Sequence, residues 1–67
     1  MQVYVRNYPQ LHGLCRNRGD DLVLEGQEAL ALYERNWRFV DQEAFTEEER
    51  QLLDQLVEQH GNGVLNV

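Results

Sequence analysis

His12 and Cys15 stand three residues apart, a spacing that would bring an imidazole and a thiol onto one face of a helix. Two chemistries are open to such a pair. As metal ligands they make half of a tetrahedral zinc site, but His60 is the one remaining histidine or cysteine, so four such ligands cannot be assembled within a single copy. As a thiolate–imidazole nucleophile they need a third group to orient the base, and an oxyanion site in a water-shielded pocket. A chain of 67 residues has little interior to give to such a pocket. Serine is absent, and there is neither a glycine-rich phosphate loop nor a paired-histidine metal signature. Carboxylates are plentiful, yet Glu47, Glu48, Asp54 and Glu58 fall on the solvated face of an amphipathic helix, where capping and solubility account for them. The expectation is a protein that is not an enzyme, with no catalytic residue, metal, cofactor or small-molecule substrate.

Two further patterns carry little. Arg18-Gly19-Asp20 matches the tripeptide read by cell-adhesion receptors, but three letters without a secretion signal read as chance. Residues 17–28 faintly resemble a calcium loop through Asp21, Glu25 and Glu28. Gly19 occupies a ligand position and Leu22 stands where the tight turn needs glycine, so the loop is rejected.

Recognition chemistry is better supplied. Tyr33, Arg35, Trp37, Arg38 and Phe39 form an aromatic–arginine cluster of the composition that interfaces favour. The stretch that holds them, Ala29 to Asp41, reads as the central helix, starting near Gly26 or Gln27. At about 100° per residue, Ala29, Leu30, Tyr33, Trp37 and Val40 share one sector, and Leu32, Asn36 and Phe39 the adjoining one. The apolar arc is wider than one neighbour needs. Either two elements of the chain cover it, or one edge faces a partner; the second option makes Leu32, Arg35, Arg38 and Phe39 the candidate partner-binding residues. Asn36 can also end the helix in a left-handed conformation, leaving Trp37 to Val40 as an extended connector. Glu34 and Arg38 have the favourable i, i+4 order if the helix continues.

The other elements follow from local signals. Gln2 to Arg6 alternates in period two, with Val3 and Val5 on one side and Tyr4 on the other, which suits a short strand. Pro9 suits a first helical turn, and Leu11, Leu14 and Cys15 extend a short helix over residues 9–16, weakened at Gly13. Arg16 to Asp21 is a loop, and Leu22 to Leu24 fits a strand or a helix start. Thr46 to Glu49 has the form of a capping box: Thr46 accepts from the Glu49 N–H, and Glu49 reaches back to the Thr46 N–H. Leu52, Leu53, Leu56, Val57 and His60 then line one stripe of the last helix. Glu49 falls on that apolar side by angle, which its capping role explains. Gly61 reads as a left-handed cap, and Val64 to Val67 as a final strand able to pair with Val3 to Val5.

The fold class expected is therefore mostly α: a small three-helix domain with a short two-stranded β pairing of the termini, residues 1–67 forming one acidic domain. Hydrophobic content of 42% with 27% charge is that of a folded rather than a disordered chain. Residues 1–18 hold three arginines and no acid, whereas residues 19–67 hold three arginines against twelve acids, a net of −9 within the total of −6. That body suits a basic protein partner and disfavours phosphate contacts. The leading expectation is a non-catalytic protein-interaction module, an accessory or regulatory subunit with an antitoxin-like charge, binding a protein partner or itself as a homodimer. The alternative is a nucleic-acid-associated regulator using Arg6, Arg16 and Arg18 with Tyr4, Tyr8 and His12 as stacking platforms. With no apolar run of membrane-spanning length, no leader and one cysteine, cytoplasmic residence is expected.

Overall fold

A computed structural model describes residues 1–15, 18, 19 and 21–67. The chain runs β1 (Gln2–Tyr4), a 3₁₀ turn (Val5–Asn7), α1 (Pro9–Leu14), β2 (Val23–Glu25), α2 (Gly26–Arg35), two 3₁₀ turns (Trp37–Phe39 and Gln42–Ala44) and α3 (Glu47–His60). Three helices thus pack with one two-stranded antiparallel sheet.

In that sheet Val3 faces Leu24 and Tyr4 faces Val23. The alternation read from the sequence holds: Val3, Val5 and Leu24 are buried, while Tyr4 and Val23 form an exposed pair on the outer face. The sheet is not a pairing of the termini, because β1 takes β2 as its partner and residues 64–67 form no strand. The reason lies at the junction of β2 with α2. The Gly26 N–H donates to the Met1 carbonyl (2.8 Å) and the Val5 N–H to the Leu22 carbonyl (3.2 Å), so both ends of the β1 ladder are closed by the segment leading into α2. The C-terminal segment folds back instead: the Val64 N–H donates to Gly61 O (3.0 Å) and the Asn66 N–H to the Glu34 carboxylate (2.9 Å).

α1 ends at Leu14, short of residue 16. The expected loop Arg16 to Asp21 lies partly outside the described residues, since Arg16, Asn17 and Asp20 are not among them, and with Asp20 goes the acid of the Arg-Gly-Asp tripeptide.

α2 begins at Gly26 and stops at Arg35. Asn36 ends it without a left-handed conformation (φ −115°): its backbone N–H (3.1 Å) and its side-chain Nδ2 (2.9 Å) both donate to Leu32 O. Trp37 to Phe39 then form a 3₁₀ turn, neither a helical continuation nor an extended connector. Glu34 and Arg38 therefore do not share a helix. α2 meets α3, α1 and both strands, so two sets of neighbours from its own chain cover the wide apolar arc. Leu32 is accordingly a core residue, 8% exposed, and not part of an uncovered edge.

α3 opens as Thr46 predicts, with Thr46 Oγ1 accepting from the Glu49 N–H (3.1 Å). The reciprocal half of the capping box is absent, because the Glu49 side chain points elsewhere. Leu52, Leu53 and Leu56 bury the inner stripe, while His60 is exposed. Gly61 is not left-handed (φ −109°); Asn62 (φ 56°) and Gly63 (φ 80°) are. Gly61 is required for space instead, since a Cβ there would lie 2.7 Å from Val64 O and 3.0 Å from Val57 O.

Candidate functional site

The most organised polar feature is Glu49, a glutamate 0% exposed within the apolar stripe of α3. Its Oε1 accepts from the Gln10 N–H (2.9 Å), and its Oε2 accepts from the Leu11 N–H (2.9 Å) and the Tyr33 hydroxyl (2.6 Å). One carboxylate thus touches all three helices. α1 needs it, because Tyr8 at its N-cap offers no side-chain acceptor and the first-turn amides would otherwise be buried without a partner. Three converging donors give the group the acceptor-only role of an ionised carboxylate, and the short Tyr33 contact has the length of a charge-assisted bond. Among the described residues Glu49 makes no ion pair.

Tyr33, wholly buried, is held far above its ordinary value of 10.0, first by burial and then by its hydrogen bond to Glu49 and the adjacent negative charge. Burial likewise raises the Cys15 thiol above its ordinary 9.0, with Arg18 opposing and Glu28 adding to the shift. A protonated thiol in the core is a poor nucleophile. His12 is half-buried, His60 lies against Gly26 at the far end of α3, and among the described residues no three His, Cys, Asp or Glu side chains are placed to hold a metal ion. Among the described residues, no buried side-chain nitrogen or oxygen lacks a hydrogen-bond partner. Open depressions occur among the described residues. One of about 150 Å³ lies beside Tyr4, Arg6 and Asp21; another, of about 290 Å³, lies beside Leu30, Glu34 and His60. Ligand pockets typically enclose roughly 300–1,000 Å³.

The candidate partner-binding residues divide. Leu32 is inside. Arg35 is exposed on the last turn of α2, and Arg38 and Phe39 are exposed on the 3₁₀ turn after it. Phe39 is 66% exposed, and the Arg38 guanidinium lies over its ring, 5.0 Å from the centroid. The turn is fixed at both ends: Asn36 bonds Leu32 O on one side, and on the other the Asp41 N–H donates to Gln10 Oε1 (2.8 Å). Trp37 beneath it is half-buried and packs at 6.3 Å on Phe45. Neither Arg35 nor Arg38 makes an ion pair among the described residues, whereas Arg6 pairs with Asp21 (3.5 Å) and Arg18 with Glu28 (3.9 Å).

Sequence reasoning missed the role of Glu49 and, with it, those of Tyr33 and Gln10. The available signal was the angular position of Glu49 among leucines, which a capping box seemed to explain. Comparison with known proteins finds no matching family, no matching curated sequence and no matching solved structure.

Proposed function

We propose that this domain is a non-catalytic interaction module, an accessory or regulatory subunit that binds a protein partner or a second copy of itself through Phe39, Arg38 and Arg35. The observation that carries this reading is the Arg38–Phe39 pair: a large aromatic ring in solvent, stacked with a cation, on a turn held at both ends. Aromatic and arginine side chains are enriched where proteins meet, and a turn held in advance loses less freedom on binding. Around it the acidic body, with Glu47, Asp54 and Glu58 exposed along α3, favours a basic surface on the partner and resembles an antitoxin in charge alone. The reading includes a cytoplasmic setting, which the unpaired Cys15 thiol supports. Nucleic acid is the weaker reading, since Arg6 and Arg18 already face carboxylates. These are exposed pairs of little strength, so they weigh against it only modestly.

Phe39→Glu tests the proposal. Being exposed, the position should change stability by no more than about 0.5 kcal/mol. The variant should nevertheless lose either the mass above monomer seen by light scattering, or the partner that the wild type captures. A control at Val64, equally exposed on the C-terminal segment, should lose neither. Binding that survives Phe39→Glu and Arg38→Glu together contradicts the reading.

A further inference from the structure

We propose that the Glu49 carboxylate is a releasable latch: neutralising it undocks α1 while α2 and α3 stay folded, and the release loosens the turn that presents Phe39. The final step rests on the function proposed above; the latch itself does not.

The connections form one path. Glu49 bonds the Gln10 and Leu11 amides at the start of α1, and the side chain of the same Gln10 accepts from the Asp41 N–H just after the Phe39 turn. α1 is six residues long, with Gly13 in it, too short to persist without tertiary support. Its other holds on the body include the Gln10 side-chain bond to Asp41 and apolar packing through Leu11 and the adjoining Cys15, together with half-buried Tyr8 and Leu14. A protonated carboxyl has an O–H where the carboxylate had an acceptor, so it cannot receive all three donors as before. α2 and α3 pack directly on each other, more extensively than α1 packs on α2, with Leu30, Leu52, Leu53 and Leu56 in the core that all three share with Leu11.

Tyr33 on α2 is the donor to Glu49 that can itself ionise, and Tyr8 and Cys15 lie near enough to Tyr33 to hold it further up.

Cys15 makes the opening measurable, since it is 2% exposed when α1 is docked. Its modification by 4,4′-dithiodipyridine, which reacts at acid pH, is followed beside far-UV dichroism and Trp37 emission. Glu49→Gln should label roughly tenfold faster than the wild type at neutral pH, the scale expected when a buried charged acceptor is lost, with most of the helical signal kept. Gln10→Ala, which leaves the amide bonds to Glu49 in place, should alter Trp37 emission without speeding the labelling. Labelling that is equal in wild type and Glu49→Gln overturns the latch, as does loss of Cys15 protection and helical signal in one transition. If Cys15 is released as expected but Phe39→Glu leaves binding intact, the latch stands and the function reading falls.

Discussion

Glu49 serves two helices with the two ends of one residue: its N–H completes the Thr46 cap of α3, and its carboxylate caps α1. Burying a carboxylate without a cation is tolerable only because three donors replace its water, so removing any of them leaves charge uncompensated. The Tyr33 hydroxyl is the one donor that can itself ionise, and its pKa is raised in the fold above 10.0. A group so shifted contributes stability that is fully present below its unfolded value and is lost as pH climbs past it. Denaturant midpoints should therefore fall above about pH 10, and Tyr33→Phe should flatten that fall at a cost of about 1–2 kcal/mol at neutral pH. An unchanged alkaline slope in Tyr33→Phe would show that the loss arises elsewhere, with Cys15, also raised, the next group to replace.

At the scale of elements, α2 decides the fold because neighbours from its own chain cover its apolar arc, α3 among them and the sheet and α1 together. Leu32→Glu, which an open edge would tolerate, should instead unfold the domain: it sets a charge among core side chains in a protein whose whole stability is roughly 3–10 kcal/mol by the usual per-residue range. Loss of cooperative melting by dichroism is the expected result, and a folded variant would return Leu32 to the surface. How far such matters were legible depends on distance along the chain. The Thr46 cap, the leucine stripe of α3, the start of α2 and the inward Val3 and Val5 are written in neighbouring residues, and they read correctly. Leu22-Val23-Leu24 and Val64-Leu65 are equally plausible strands by pattern, and only the closure of both ladder ends beside Gly26 selects the former. Leu32 could not be placed because its cover comes from segments far away in the sequence. Phe39 is exposed for a reason the arc did not contain: α2 ends at Arg35, and a 3₁₀ turn braced by Gln10 carries the ring.

Across the whole molecule, polar chemistry is divided between inside and outside. The interior holds Glu49, Tyr33 and Cys15, which are buried and, in the case of the first two, joined by a hydrogen bond that ties helices together. The surface carries the exposed acids of α3 and, at the other end of the charge scale, Arg35 and Arg38 beside Phe39. On the proposed reading, a 67-residue domain of net charge −6 with this division is recognised by a partner. The most direct measurement is the map of backbone amide chemical shifts in uniformly labelled protein. It would be recorded on adding the captured partner or, where the chain self-associates, over a concentration series. Recognition through the Phe39 turn predicts changes centred on Arg35 to Val40, with the Trp37 indole among them. Changes confined to the outer face of α3 or to Tyr4 and Val23, with the Phe39 turn unmoved, would contradict it.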